Sequence, residues 1–496
     1  MKIINANKNF FNPDNVDIAI VGTGIIGIFF AFLLKKSKLK IILIDRGSYS
    51  SRPKEKRTIL KGIYHSASQS TKGFRLGGNS SLWGGQLSEF RKEDIKKNFW
   101  GLKYNQLKKL YNEVYKILYL KCNNKILVDK KFKIGFYFTY FLKEPNLYKY
   151  FKSKLLNYKN ISIISNLVAQ ELVFKDKQVV SLKCKSNKNK LINIKAKKFV
   201  FCLVTIENIR FFLTNKLLSR NSPLKKLRLI GHYFQDHIEV TLGRLIIKSE
   251  KKFSNLFENR LIGNLMHQPK ICNVLDDRNQ LSMLSGFISE SHKNKIANKS
   301  KKNLKDFKSN LNFKNFIKLF KFNNLKYTIL YLFHFIRFKK IKLFFGNTVK
   351  MNVISEQTPS FQNKLTINNK KLNDGLNQAV LHWRVNHQEF DQFKIFIKRL
   401  NIFFNQSGLG ELKINKNLFK YEEFIKNIKD TNHASGGLKI SKNSKNGVCD
   451  KNFKVWGTTN LYILGSALFP NSGHSNVTLT AMAFALKLSK EIKFNK

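Results

Sequence analysis

Apolar and polar residues near the start of the chain are arranged in a way that predicts two short strands with a helix between them. The first strand is expected from Asp17 to Val21, the helix from Ile25 to Leu34, and the second strand from Lys40 to Ile44. Glycines interrupt this apolar stretch at regular spacing, and it is too short for a membrane span. The order of strand, turn, helix and strand predicts a Rossmann-like unit.

Two later stretches have patterns of their own. From Ser162 to Leu203, short runs of Val, Ile and Leu alternate with Lys, Asn and Asp, which predicts a small antiparallel meander. From Lys293 to Asn347, many lysines stand among Phe, Ile, Leu and Tyr, and Asp306 is the single acidic residue. This segment is interpreted either as a helical lid on the substrate domain, which is favoured, or as an amphipathic surface that contacts a membrane peripherally.

Composition narrows the class of protein. The 496 residues are 43% hydrophobic, which is enough for a large core and more than one domain. The 91 basic and 31 acidic residues give a net charge of +60, which would attract polyanions. The basic residues are spread along the chain and form no basic tail, so no specific nucleic-acid partner is expected.

The cysteines and the first residues indicate the compartment. The five cysteines are odd in number, widely spaced and without a CxxC pair, so neither a disulfide framework nor a metal site is expected. The first residues lack the apolar core of a secretory signal. A cytoplasmic protein is therefore expected, with peripheral membrane contact through 293–347 left open.

A dinucleotide-binding motif follows the first strand. Gly22, Gly24 and Gly27 form a GxGxxG turn, and Asp45 ends the second strand 23 residues after Gly22, with Arg46 beside it. The glycines allow a pyrophosphate to approach the helix N-terminus, and the carboxylate can bind the ribose hydroxyls. This motif alone does not distinguish NAD from FAD.

A second glycine cluster, LGGNSSLWGGQ from Leu76 to Gln86, favours FAD because its backbone can approach a flat ring system. Here the sequence resembles the glucose-methanol-choline (GMC) oxidoreductases, whose second signature has the form GGxSxxWxG. The predicted cofactor contacts in this cluster are Gly78, Asn79, Ser80, Trp83, Gly84 and Gly85. Covalent family members have a histidine at the position of Leu82, so the resemblance implies non-covalent FAD.

The resemblance recurs in order along nearly the full chain and is weakest between about Lys293 and Lys350. The matching segments are WGLKYNQLKKLYNEVY from Trp100, IGHYFQDH from Ile230, EQTPSFQNKLTI from Glu356, HASGGLKI from His433 and the run from Asn460 to Leu486. One departure is Val204, which stands where the family usually has a glycine and is expected to crowd the dinucleotide. A bacterial choline dehydrogenase-like flavoprotein is the subtype suggested.

The resemblance implies an α/β fold, α+β overall, in which a Rossmann-like FAD-binding domain carries a substrate domain built on a six-stranded type of antiparallel sheet. The FAD domain is expected over 15–240 with a helical cap at 100–160, and the substrate domain over 241–430. Residues 431–496 would complete the FAD domain and the active site. Further cofactor contacts are implied at Val168, Gly465, Ser466 and Thr478.

The C-terminal signature implies the catalytic pair. His433 falls on the family's active-site histidine and Asn476 on its His-or-Asn partner, which predicts a base and a group that orients the substrate oxygen. His474 is a competing candidate in the same loop, whereas His237 and His232 are interpreted as structural. The expected reaction is hydride transfer from the CH–OH group of an alcohol, with sugars and polyols among the candidates, to FAD, and the final electron acceptor is left open. The alternative is a catalytically weakened basic flavoprotein that binds a membrane or a polyanion.

Overall fold

The computed structural model describes most of the 496-residue chain. The described residues are 1–8, 16–47, 57–66, 75–120, 126–218, 222–262, 265–275, 279–289, 329–330, 333–334, 336–337, 340–341 and 345–494. Most of the segment 293–347, expected to form a lid or a membrane surface, lies outside the described residues. Cys122 also lies outside them.

A parallel sheet of six strands forms the first layer. Its strands, in spatial order, are Lys2–Asn5, Ile161–Ser165, Ile41–Ile44, Val16–Val21, Ala196–Phe201 and Leu461–Ile463. The strand Ile41–Ile44 is buried along its whole length, as expected for a parallel sheet covered on both faces. The helices Ile25–Leu34 and Val477–Phe494 pack against each other beside this sheet. The chain's first and last segments therefore build one Rossmann-like layer, as predicted.

The expected meander is confirmed over a shorter range. Its three antiparallel strands are Leu167–Lys175, Gln178–Ser186 and Leu191–Ile194. The expectation that it spans 162–203 is wrong at both ends, because Ile161–Ser165 and Ala196–Phe201 pair with the parallel sheet instead. Both flanking strands carry fully buried aliphatic or aromatic residues, which suit a two-sided core.

An antiparallel sheet of eleven strands forms the second layer, so the expectation of a six-stranded type of sheet is wrong in size. Its main path is Lys340–Ile341, Asn259–Ile262, Leu265–Asn273, Met283–Ser289, Thr348–Ser355, Ile238–Ile247 and Gly410–Ile414. Its other strands are Gln86–Leu87, Leu127–Asp129, Ile134–Phe141 and Lys429–Asp430. The region 100–160 is consequently not a purely helical cap, because Ile134–Phe141 pairs with Leu265–Asn273.

Helices pack on one face of the antiparallel sheet, and its other face is turned toward the parallel layer. Phe403 of the helix His387–Gln406 packs on Phe136 with ring centroids 5.7 Å apart. On the opposite face, Thr139 and Gln268 bond to the side chain of Gln86. This second face is where the candidate site lies.

The remaining elements connect the two layers. The strands Lys364–Lys371, Asn377–Trp383 and Thr58–Gly62 form a small sheet, and Phe234–Gln235 pairs with Ser435–Gly436. The other α-helices whose full length the structure describes are Lys92–Lys96, Tyr104–Ile117, Leu147–Leu155, Thr205–Leu218, Glu250–Phe257 and Tyr421–Asn427. The 3-10 turns are Gly78–Ser81, Pro223–Lys226, Lys416–Phe419 and Ser466–Leu468. Among the helices in the described parts of the chain, none has the length and apolarity to cross a membrane.

Candidate active site

One cavity of about 1020 Å³ brings the predicted cofactor residues and the predicted catalytic pair together. Its wall includes Gly22, Gly24, Asp45, Arg46, Gly78, Asn79, Ser80, Trp83, Gly84, Val168, His433, Gly465, Ser466, Asn476 and Thr478. Of the predicted cofactor residues that the structure describes, Gly27 and Gly85 do not line the cavity. Both are packed behind it, since a Cβ on Gly27 would lie 2.0 Å from the Gly22 oxygen and one on Gly85 2.8 Å from Pro145.

The glycine turn has the shape that a diphosphate needs. Gly22 has φ +105°, and a Cβ there would lie 2.9 Å from the carbonyl oxygen of Cys202. A Cβ on Gly24 would meet no heavy atom of the described chain within 4 Å, so its space is open to a ligand. The helix begins directly afterwards at Ile25, and no described side chain caps its first amides. Uncapped N–H groups next to open space fit a bound anion.

Asp45 joins the two glycine elements besides lining the cavity. Its Oδ2 accepts hydrogen bonds from the Thr23 amide at 2.9 Å and hydroxyl at 2.5 Å, and its Oδ1 accepts the Gly47 amide at 2.8 Å. The Thr23 hydroxyl oxygen in turn accepts the Gly77 amide at 2.9 Å. Burial raises the pKa of Asp45, although these bonds oppose the rise. A carboxylate has about four acceptor sites, so capacity for a ribose hydroxyl remains.

Three arginines and two acids line the same cavity next to Asp45. Asp374 lies 2.9 Å from both Arg46 and Arg210 and also pairs with Arg57, while Glu207 lies 3.1 Å from Arg57 and 2.6 Å from Arg210. The group has an excess of one positive charge, which favours an anionic ligand. Sequence reasoning found only Arg46, since the other four residues belong to no recognisable motif.

The second glycine element forms a 3-10 turn held by the chain around Pro145. The Ser80 hydroxyl donates to Asn146 Oδ1 at 3.0 Å and accepts the Tyr148 amide at 2.8 Å. Trp83 Nε1 donates to the Pro145 carbonyl at 2.6 Å. Ser80 therefore shapes the turn as well as lining the cavity. Leu82 also lines the cavity.

Val204 lies on the cavity wall as the sequence departure suggested, and it is half exposed. Beside it, the Thr205 hydroxyl donates to the Ala434 carbonyl at 2.7 Å, and the Ser466 hydroxyl donates to the same oxygen at 2.9 Å. Gly465, with φ +132°, precedes Ser466. These contacts fasten the segment that carries His433 to the end of the parallel sheet.

His433 and Asn476 lie next to each other, with His433 Nε2 3.4 Å from Asn476 Nδ2. Ser88 fixes the amide, because its hydroxyl oxygen accepts the Asn476 backbone N–H and its proton goes to Asn476 Oδ1, both at 3.1 Å. The Nδ2 group is thereby turned toward His433 and the cavity. Both side chains line the cavity wall.

The neighbours of His433 determine which ring nitrogen carries its proton. His237 Nε2 lies 3.2 Å from the Ser472 carbonyl, which can only accept, so His237 Nε2 is protonated. When Nε2 carries the single ring proton of His237, its Nδ1, which lies 2.9 Å from His433 Nδ1, is an acceptor. The Thr431 hydroxyl, 2.8 Å from the same atom, donates to Asp236 and also accepts. The proton of His433 thus sits on Nδ1, and Nε2 faces the cavity as an acceptor.

Burial lowers the pKa of His433 to about 4, while Asp236 acts in the opposite direction. The imidazole is therefore neutral at pH 7 and able to accept a proton. His237, interpreted from the sequence as a structural member of the turn, also contacts the candidate base directly. In the sequence, His237 was linked to the family's turn only because it directly follows Asp236.

The competing histidines have other partners. His474 is buried with Nδ1 3.1 Å from Asp94 Oδ2 and 3.3 Å from Arg91 Nε. In the part of the chain that the structure describes, His474 does not line the cavity. His232 stacks on Phe361 with ring centroids 3.9 Å apart. Neither is placed to contact a ligand in the cavity.

Comparisons with known proteins agree with this architecture. Residues 359–485, which include His433 and Asn476, match the family model described as GMC oxidoreductase. A pyranose 2-oxidase from Emericella nidulans is 52% identical over 48 residues, which are 9% of this chain and only 8% of that protein.

Solved structures share the fold over nearly the whole chain. Pyridoxine 4-oxidase from Mesorbium loti has a TM-score of 0.60 at 12% identity and covers 97% of this chain and 99% of its own. Formate oxidase from Aspergillus oryzae RIB40 has a TM-score of 0.59 at 15% identity over 97% and 98%. A fungal aryl-alcohol oxidase has a TM-score of 0.58 at 12% identity over 98% and 100%. None of these is a choline dehydrogenase, and that narrower assignment stays a prediction. Residues 359–485 therefore match the GMC oxidoreductase family model, and nearly the whole chain shares the fold of these solved structures.

Proposed function

We propose that this protein binds FAD without a covalent link and oxidises a CH–OH group, with His433 as the proton acceptor. The observation that carries this proposal is that His433 Nε2 and Asn476 Nδ2, 3.4 Å apart, line the same cavity as the open glycine turn. A dinucleotide site and a neutral base thus share one chamber. The fold alone would not support an activity.

The cofactor proposal has two supports. The turn at Gly24 leaves open space in front of uncapped helix amides, and one related structure is named as an FAD-dependent oxidoreductase from Chaetomium thermophilum. Leu82 supplies no nucleophile for a flavin linkage. A bound flavin would supply the hydride acceptor. The residues that would hold it are those of the cavity wall, from Gly22 to the neighbourhood of Thr478.

The chain's own residues would manage the substrate oxygen and its proton. His433 Nε2 accepts the hydroxyl proton, which places negative charge on the oxygen and helps hydride to leave the adjacent carbon. Asn476 Nδ2 donates a hydrogen bond to the same oxygen and orients it. During this transfer, His237 and Thr431 keep the ring proton that His433 already carries on Nδ1.

A polar side chain next to the antiparallel sheet, Gln86, is part of the cavity wall. Its amide donates to Thr139 at 2.6 Å and to Gln268 at 3.0 Å, which leaves its oxygen to accept from a substrate hydroxyl. The short similarity to a pyranose 2-oxidase favours the same class of substrate. Sugars and polyols are therefore the first substrates to test.

The test is anaerobic mixing of purified holoenzyme with a panel of sugars, polyols and aryl alcohols while flavin absorbance is followed. One class should bleach the flavin and yield the matching carbonyl compound. Acid precipitation should release FAD into the supernatant. Failure of every alcohol to reduce the flavin would contradict the activity, and flavin in the pellet would contradict non-covalent binding.

A second proposal concerns contact with an anionic membrane. The described residues of the segment 293–347 include helical positions Ile329, Phe333 and Ile336, which follow i, i+4, i+7 spacing and are 56%, 62% and 66% exposed. His334 Nε2 lies 3.1 Å from Glu258 Oε2 and ties this helical part to the sheet. The segment holds fifteen Lys and Arg residues and one acidic residue. Exposed apolar side chains amid cationic residues fit an anionic lipid surface.

The alternative of a catalytically weakened flavoprotein is less favoured, because the His433 and Asn476 pair keeps a geometry suited to catalysis.

A further inference from the structure

A buried imidazole lies between two carboxylates directly behind the candidate base. His65 Nε2 is 3.2 Å from Asp236 Oδ2, and His65 Nδ1 is 3.9 Å from Asp430 Oδ2, with all three side chains at most 1% exposed. The ring packs edge-on against Trp383 at 4.8 Å and Phe234 at 5.6 Å between centroids. The mechanism proposed above does not use this group.

Both carboxylates hold the short segment that carries His433. Asp236 Oδ1 accepts the His433 backbone N–H at 3.0 Å and the Thr431 hydroxyl at 3.2 Å. Asp430 Oδ2 accepts the Asn432 backbone N–H at 3.2 Å. All four residues from 430 to 433 therefore bond to these two acids or supply one of them.

The charges of this cluster must balance because water does not reach it. Two ionised carboxylates in a buried site are costly unless a cation compensates them. Burial by itself raises the pKa of Asp236, but the hydrogen bond and charge of His65 lower it overall. Asp236 is thus ionised. His433 is neutral and the ring nitrogens of His237 contact His433 and Ser472, so His65, which lies between the two carboxylates, is the histidine placed to carry the balancing charge.

We propose that His65 is a positioning residue which, as an imidazolium, joins Asp236 to Asp430, fixes the backbone of His433 and keeps that histidine in its proton-accepting form. The proposal rests on the function proposed above. Without the positive charge, two carboxylates would face His433 uncompensated. They would then favour its protonated form and remove the acceptor.

A bound metal ion is the competing explanation. The ligand atoms of His65, Asp236 and Asp430 all lie within 4.8 Å of one another, as a cation site would require. Asp430, however, already accepts the Ser66 amide at 2.5 Å and hydroxyl at 2.7 Å. Hydrogen bonds to both oxygens of Asp430 fit an imidazolium better than a metal. Metal content is therefore part of the test.

The test uses His65→Gln, Asp430→Asn and the double variant as purified holoenzymes. Flavin reduction at saturating alcohol is measured against pH, and NMR of ¹⁵N-histidine-labelled protein reports the protonation of His433 independently of turnover. We expect His65→Gln to raise the pKa of His433 by about one unit and slow reduction about tenfold near neutrality, with KM little changed. Asp430→Asn, which removes a negative charge, should cause no rise.

The double variant distinguishes charge balance from damage to the fold. It restores the wild-type net charge of the cluster, so the pKa of His433 should return toward its wild-type value even if His65→Gln alone yields little holoenzyme. A pKa of His433 that stays unchanged in folded His65→Gln, a double variant no better than the single one, or stoichiometric metal in the wild-type protein would each overturn the proposal. If no alcohol reduces wild-type flavin, the proposed function fails while the NMR titration still decides the role of His65.

Discussion

The Nδ1 atoms of His237 and His433 lie 2.9 Å apart, and this contact determines which face of the His433 ring is basic. Because His237 uses its Nε2 proton on the Ser472 carbonyl, His433 must supply the proton between the two rings. The Nε2 lone pair of His433 therefore points toward Asn476 and the cavity. A histidine expected to be structural thus sets the tautomer of the candidate base.

Replacing His433 with Ala should slow flavin reduction by about 10² to 10⁴, the usual contribution of a positioned base, and leave FAD bound. Asn476→Ala should slow it less, because the amide orients the oxygen without taking its proton. Stopped-flow absorbance of the flavin measures both. His474→Ala is the matched control from the same loop, since His474 bonds to Asp94 and Arg91. Loss of reduction in His474→Ala but not in His433→Ala would require the pair to be reassigned.

The rate of flavin reduction should depend on pH only on the acidic side. Burial lowers the pKa of His433 to about 4, so its neutral form dominates at neutral pH and is lost as the pH falls toward that value. We expect a flat profile between about pH 6 and 8 and a decline below it. A profile that rises through pH 6.5 would mean that the base has an ordinary histidine pKa and is not His433 in this environment.

The cofactor turn could be predicted because its constraints are local. Gly22 needs φ +105° and Gly24 needs space in front of a helix, and both requirements leave glycines at fixed spacing in the sequence. The helix Ile25–Leu34 was predicted with its observed bounds for the same reason. His433 and Asn476 were reached through the family signature and not through any local pattern.

Residues that meet only in three dimensions were missed. Arg46 and Asp374 are 328 positions apart, and His65 is 171 positions from Asp236 and 365 from Asp430, so no local sequence pattern indicates these contacts. The strand Ile161–Ser165 was misassigned because a short buried apolar run reads alike in a meander and in a parallel sheet.

Asp45→Ala should weaken FAD retention by about 1.5 to 3 kcal/mol, the usual contribution of hydrogen bonds to a charged group. Equilibrium dilution followed by flavin fluorescence measures the loss. Thr23→Val is the control, because it removes the hydroxyl that bonds to Asp45 and Gly77 but keeps the carboxylate. An equal loss in Thr23→Val would mean that Asp45 acts by holding the turn and not by binding ribose.

Asp374→Asn should lower the free energy of unfolding by about 1.5 to 3 kcal/mol, because it removes the more buried of the two carboxylates that pair with Arg57 and Arg210 and leaves Glu207 to compensate both. Urea denaturation of the holoenzyme measures this change. Asp391→Asn is the matched control, since that side chain is 60% exposed and pairs with Lys394 at 2.8 Å. Its effect should stay below about 1 kcal/mol. Similar small effects in both variants would show that the arginine cluster is solvated in solution.

Liposome binding should require anionic lipid and the exposed apolar side chains of the segment 293–347. Juxtamembrane basic residues contribute on the order of 1 kcal/mol each, and this attraction is screened by salt, so binding should fade as salt rises. Phe333→Ser with Ile336→Ser should reduce co-sedimentation with anionic vesicles, because burial of each such side chain is worth about 1.5 to 3 kcal/mol. Leu191→Ser, at an exposed position on the meander, is the control and should have little effect. Equal binding to neutral vesicles, or no loss in the double variant, would return the segment to the interpretation of a lid.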